Sequence, residues 1–312
     1  MMMKRRLGVV ASVATLVIAG SLAGAAPAGA DTDQGRAQSV LITVTGSGSH
    51  ARISNDDVHP GWLKLKIQDA TSPKPIGANI DVIRLRHGYR LSRLMADLAA
   101  EVAQNSTPAA LAAAAAATGD LNTIAVALGG GDPFDKTPFF RSDTIWLPGR
   151  GDYYVINTAT STLPAVVGVL EARGRTVWQG APDHSGTVSL GNGSTDTITL
   201  TGHMPAKGTV RVRNNGDGVH LLAISKVADG TTDAEVSAEY MSFMTNGFPP
   251  PDPIGLFSST INTGSDAVSP GHASLFSYNL PKGTYVLQCF VADDVTGIPH
   301  AFMGMHLIVH IG

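Results

Sequence analysis

Cysteine is almost missing from this sequence: Cys289 is the single thiol in 312 residues. One thiol excludes a disulfide framework within the chain and any zinc module built on several cysteines. Charged residues are also scarce, at 15%, where ordinary domains carry roughly a quarter, and aromatic residues make up only 6%. The formal net charge is −3, with no stripe of Lys or Arg, which argues against nucleic acid as the main partner. What is present is 43% hydrophobic residues. Disordered chains combine low hydrophobicity with high net charge, so this chain folds. Its length suits one large domain or two ordinary ones.

The first thirty residues read as a leader. Lys4, Arg5 and Arg6 form a positive start, an apolar stretch runs from Leu7 to about Ala25, and Ala28-Gly29-Ala30 precede Asp31. That is the layout of a secretory signal peptide with an A-x-A cleavage site. Arg5-Arg6 also raises the twin-arginine route, so the choice of export pathway stays open. Past this leader no stretch is long and apolar enough to span a bilayer. The expectation is a secreted protein, extracellular or in the cell envelope. Export makes an unpaired thiol unusual, because secreted proteins generally pair their cysteines.

Alternation marks the strands. In GWLKLKIQDA (61–70), Trp62, Lys64, Lys66 and Gln68 face one way and Leu63, Leu65 and Ile67 the other. SVLITVTG (39–46), IDVIRLR (80–86), DTIWLPG, GDYYVINT and AVVGVLEARG read likewise. Between them Leu91, Leu94, Met95, Leu98 and Val102 recur at helical spacing. An Ala-rich run, Ala109 to Ala117, predicts a second helix that ends at Thr118-Gly119, and Gly129–Gly131 predicts a loop.

A similar order then returns in TDTITLTG, GTVRVRNNG and VHLLAISKV. A helix follows whose start carries Thr232 and Glu235 in capping-box spacing, and three more strands close the chain. GWLKLKI aligns with GTVRVRN, and LPGRGDYYVIN with LPKGTYVLQC. The reading is a duplication: mainly β, two Greek-key β-sandwich domains with helical inserts, residues 31–172 and 173–312.

The second domain carries a pattern that resembles the cupredoxins, the type 1 copper fold. Its parts are N-N-G-D-G-V-H (214–220), G-T-Y-V-L-Q-C (283–289) and P-H-A-F-M-G-M (299–305), with an H-x4-M spacing from His300 to Met305. The resemblance implies one copper ion held by His220, Cys289 and His300, with Met305 on the axis and Met303 as its competitor. Two imidazoles, one thiolate and a weak thioether suit an ion that shuttles between Cu(I) and Cu(II). The sequence departs from the family in two places: ten residues, FVADDVTGIP, separate Cys289 from His300, and Leu221 stands where a polar residue is common. The first domain lacks the ligands, with Ala78-Asn79 and Asn157 at the matching positions.

Other chemistry is thin. No H-x-H pair occurs, although multicopper oxidases, which also stack such domains, need several. No G-x-S-x-G or phosphate-binding Gly motif is present either. His306 and His310 lie four apart on a strand, about 13 Å at ~3.3 Å per residue, too far for one metal, and read as solvated edge residues. The function expected is one-electron transfer or copper carriage in the envelope, with a redox protein or copper donor as partner and no enzymatic activity. The alternative is a metal-free extracellular β-sandwich that binds another molecule.

Overall fold

The structure, a computed structural model, describes residues 38–71, 78–102, 107–131, 140–159, 163–178, 180–246, 251–259 and 261–312. The leader read at 1–30 lies outside them. The first part of the chain forms β1 (Gln38–Gly46), β2 (His50–Ile53), β3 (Asp57–Val58), β4 (Gly61–Thr71), β5 (Ile80–Leu85), α1 (Leu91–Val102), α2 (Pro108–Ile124), β6 (Ala125–Gly131), β7 (Phe140–Leu147), β8 (Gly151–Asn157) and β9 (Ala165–Ala172). The second forms β10 (Gly186–Gly193), β11 (Thr195–Gly202), β12 (Lys207–Gly216), β13 (His220–Val227), α3 (Asp233–Asn246), β14 (Asn262–Val268), β15 (Ala273–Asn279), β16 (Gly283–Gln288) and β17 (His306–Ile311).

Two sheets stack face to face, and the second half repeats the first. One sheet has the order β11-β10-β12-β15-β7-β4-β1-β2, the other β17-β16-β13-β14-β6-β5-β8-β9-β3. Each half contributes an antiparallel hairpin whose first strand runs parallel to the next: β1 to β4, and β10 to β12. The halves meet strand to strand, β7 against β15 and β6 against β14, so both sheets run unbroken across the molecule. The architecture is mainly β, as the alternating sequence pattern predicts, with helices laid on the outside.

Each half has its own core between the sheets. Val40, Ile42, Leu63, Leu65, Ile67, Ile80, Val82, Tyr153 and Val155 fill the first. Val188, Leu190, Val210, Val212, Leu222, Ile224, Phe276, Tyr285 and Leu287 fill the second, together with Cys289 and Met305. Every such Val, Ile or Leu contributes roughly 1.5–3 kcal/mol relative to solvent exposure. The inserts cover the outer face of the nine-stranded sheet. Leu94, Leu98 and Ile124 of α1 and α2 pack on Ile83, Ala127 and Ile156, and Val236 and Tyr240 of α3 pack on Val227 and Val286. The capping box at the start of α3 is formed: Glu235 accepts from the Thr232 amide and hydroxyl, both at 2.8 Å.

Two sequence expectations change here. The helix at α2 does not stop at Thr118-Gly119 but continues to Ile124, started by Thr107, whose hydroxyl accepts from the Ala110 amide at 3.3 Å. Gly129–Gly131 is not a loop but the end of β6, the strand that joins the halves. Glycine is required there by close approach, since a Cβ on Gly130 would lie 1.6 Å from the Ile80 carbonyl oxygen. Gly264 in β14 repeats the constraint, 1.9 Å from the Leu222 carbonyl oxygen.

The seam also buries two carboxyls, Asp81 of β5 and Asp266 of β14, hydrogen-bonded to each other, with the Ala267 amide donating to Asp81 at 3.2 Å. Burial pushes Asp266 up to about 6. Burial, then repulsion from Asp266, holds Asp81 well above the carboxylate range. The folded chain therefore keeps protons that the unfolded chain releases near pH 4. The pair's own contribution to stability is therefore fully present below pH 4 and is lost as pH rises through about 6. The urea midpoint of Asp81→Asn should fall less over that range than wild type; parallel profiles would contradict the shared proton.

Candidate metal centre

The segment before β13 is built to hold a ring in place. Asn214, fully buried, donates through its amide nitrogen to the carbonyls of Gly218 and Val268, both at 2.7 Å, and accepts from the Gly216 amide at 2.8 Å. Asn122 of α2 accepts from the Val219 amide at 2.9 Å. His220 follows with its ring packed against glycines: a Cβ on Gly216 would come within 2.6 Å of Nε2, and one on Gly191 within 3.1 Å. A side chain at either position would push the imidazole out.

Cys289 stands just past β16 and is fully buried. Backbone hydrogen bonds close a ring around it. The Cys289 amide donates to the Met305 carbonyl at 3.3 Å, the Met305 amide to the His300 carbonyl at 2.9 Å, and the Ala301 amide to the Cys289 carbonyl at 2.7 Å. The ten residues between Cys289 and His300 fold back on themselves. Asp293 accepts from Thr296 through both amide and hydroxyl at 2.6 Å, Ala292 bridges Pro299, and the His300 amide donates to the Val291 carbonyl at 3.0 Å. The long insertion thus returns His300 to the site. It rests on α2, where Gly297 (φ 71°) would clash with the Leu111 carbonyl if it carried a Cβ, at 1.9 Å.

These elements bring the predicted donors together. Cys289 Sγ lies 3.8 Å from His220 Nδ1 and 3.6 Å from His300 Nδ1, and the two Nδ1 atoms are 3.3 Å apart. All three donors lie within 4.8 Å of one another. Met305 is fully buried in the same core as Cys289. Met303 is not: it is 49% exposed, and the Thr296 hydroxyl points at its sulfur. The spacing left the two methionines in competition, and burial favours Met305.

Burial sets the protonation of the group. It pushes the Cys289 thiol up to about 12, although the Leu221 and Val291 amides donate toward it. Burial and then the neighbouring His300 push His220 down to about 3, and burial also lowers His300. Three neutral donors therefore converge in a buried pocket at neutral pH. A soft thiolate with two imidazoles is the donor chemistry that copper favours, and binding would displace the thiol proton. His220 Nε2 is buried with no hydrogen bond. Asp196 of β11 places a carboxylate oxygen 3.5 Å from it and the other 3.6 Å from His300 Nε2. Asp196 of β11 and Asn122 of α2 escape the sequence reading because they lie far along the chain from the ligand motif, and Asn214, though inside the motif, shows its bracing role only in its contacts.

The first half shows the same backbone arrangement without the donors. In β5 and β8, Ile80 pairs with Asn157, and the Asn79 amide donates to Asn157 Oδ1 at 2.9 Å. In β13 and β16 the Leu221 amide donates instead to Cys289 Sγ at 3.4 Å. Asn157 also donates to the Gly48 carbonyl at 2.9 Å. A hydrogen-bonded amide fills the place of the thiol, and Ala78 the place of His220. His306 differs from its expected role as a solvated edge residue. It is buried, with Nε2 3.0 Å from Asp233, and shares no site with His310.

No protein-family model matches the sequence, and no curated protein matches it. Among solved structures, several copper proteins are similar at low identity. It is similar to the dithionite-reduced auracyanin of the photosynthetic bacterium Roseiflexus castenholzii at 20% identity, over 40% of this chain and 94% of that one, with a TM-score of 0.25. It is similar to auracyanin A of Chloroflexus aurantiacus, a "blue" copper protein, at 16% identity, over 41% of this chain and 100% of that one, with a TM-score of 0.24. A copper nitrite reductase from Nitrosomonas europaea is similar at 9% identity, over 89% of this chain and 94% of that one, with a TM-score of 0.21. A multicopper oxidase is also among the similar structures. These last two are enzymes, so the expectation from the missing H-x-H pairs that this chain is not an enzyme is withdrawn. Among the described residues no helix is long and apolar enough to cross a membrane.

Proposed function

We propose that the chain holds one copper ion through His220, Cys289, His300 and Met305 and uses it to pass single electrons or carry copper in the cell envelope. The observation that carries this reading is the convergence of two Nδ1 atoms and one thiol within 4.8 Å in a buried pocket. Bound there, copper would supply a one-electron couple. The chain's own part is to lose the Cys289 proton, keep both imidazoles neutral and exclude water. The backbone ring through Cys289, His300 and Met305 holds the donors in one arrangement, which limits reorganisation when charge changes. Residues 31–172 then act as a support, since α2 touches both the segment before His220 and the insertion before His300. Export through the leader and a redox or copper-donating partner complete the proposal.

Elemental analysis after copper loading and gel filtration tests it: one copper per chain is expected, and none in His220→Ala. No copper retained by the wild-type chain would overturn the assignment and leave a metal-free binding module. The methionines give a second check. Met305→Leu should shift the reduction potential of the loaded protein, and Met303→Leu should leave it unchanged. The reverse result would exchange their roles.

A further inference from the structure

Asp196 opens β11, next to the turn that links it to β10, and its carboxylate lies behind both candidate histidines. Oδ1 is 3.5 Å from His220 Nε2 and Oδ2 is 3.6 Å from His300 Nε2. The opposite nitrogens of the same rings, both Nδ1, face Cys289 Sγ. A neutral imidazole carries a single N–H, on one nitrogen or the other, and only the bare nitrogen can ligate. Which one is bare depends on the partner of its opposite. His220 Nε2 has no hydrogen bond, and its ring is walled in by Gly191 and Gly216. The Asp196 side chain is 28% exposed, so it is the member free to move. A charge-assisted bond needs roughly 2.7–2.9 Å, less than about 1 Å shorter than either distance.

We infer that Asp196 is a positioning residue that accepts the Nε2–H of both His220 and His300, which fixes both rings in the tautomer that presents a bare Nδ1 beside the thiol. The inference rests on the copper reading above for its purpose, though not for its test. One carboxylate orienting two rings couples them: losing it releases both. Its charge also favours the more positive state of a bound ion, so it lowers the reduction potential.

The test uses the whole chain as wild type, Asp196→Asn and Asp196→Ala, each checked for folding by thermal melt. The first readout is nitrogen-15 NMR of the histidine side chains in copper-free protein. Wild type should show Nε2–H on both rings, and Asp196→Ala should populate Nδ1–H. Asp196→Asn is nearly isosteric and serves if the alanine variant fails to fold. It keeps one carbonyl oxygen, so one ring should hold its tautomer and the other lose it. The second readout is the loaded protein, where both variants should bind copper about 10–100-fold more weakly and show a higher potential. Nδ1–H on either ring of the wild type, or variants that match wild type in tautomer, affinity and potential, would overturn the inference. A wild-type chain that takes up no copper defeats the copper reading instead, while the tautomer measurement still decides the role of Asp196.

Discussion

Cys289→Ser should abolish the thiolate-to-copper absorption expected of the loaded protein and leave a folded chain. Serine offers a hard hydroxyl that does not ionise near neutral pH, so the soft donor that selects copper is gone. The fold tolerates the change. Cys289 packs as a small buried side chain, and the Leu221 and Val291 amides that face the sulfur can donate to an oxygen equally well. Burying a hydroxyl costs about 1–3 kcal/mol when it is unpaired and less when it is bonded. A thermal melt and an optical spectrum on the same sample separate the two effects. A Cys289→Ser protein that keeps the wild-type band would remove the thiolate from the site.

Gly297→Ala loosens the site from a distance. Gly297 sits at φ 71°, where a side chain costs about 1–2 kcal/mol. Its new methyl would also collide with the Leu111 carbonyl of α2, and overpacking of this kind adds about 1–3 kcal/mol. The combined loss of about 2–5 kcal/mol falls on the insertion that delivers His300, so copper affinity should drop together with the urea midpoint. Gly230→Ala is the control. It has φ 83° with open space around its Cβ, so it carries the strain without the collision and lies away from the donors. Equal midpoints and equal copper affinity in the two variants would show that the first half does not brace the site.

The strands that alternate on one buried face were legible in the sequence, as Leu63, Leu65 and Ile67 show, and so was the capping box at Thr232. His220, Cys289 and His300 could be singled out because their order along the chain survives in short motifs, and the structure brings their donor atoms within 4.8 Å of one another. What escaped depends on contacts between distant segments. The strands β6 and β14 that join the halves carry Gly130 and Gly264, which read locally as breakers; the need for them comes from the Ile80 and Leu222 carbonyls opposite. α2 runs past Gly119 to Ile124, whose side chain packs with Leu94 and Leu98 of α1 on the outer face of the sheet, a tertiary contact that helix propensity cannot anticipate. Asp196 carries no local signal, because its meaning lies in two imidazoles 24 and 104 residues further along the chain. His306 alternates like an exposed residue on an edge strand and is buried because α3 lies over it.

Whether two imidazoles and one thiolate hold a single copper is read straight from an optical spectrum. The chain is mixed with one equivalent of Cu(II) and scanned from about 400 to 800 nm, since a short bond between a soft thiolate and copper gives intense charge transfer in the visible. A strong band that vanishes on reduction and returns on reoxidation is expected. A flat spectrum from folded protein, with Cys289 still reactive to thiol reagents once unfolded, would contradict it.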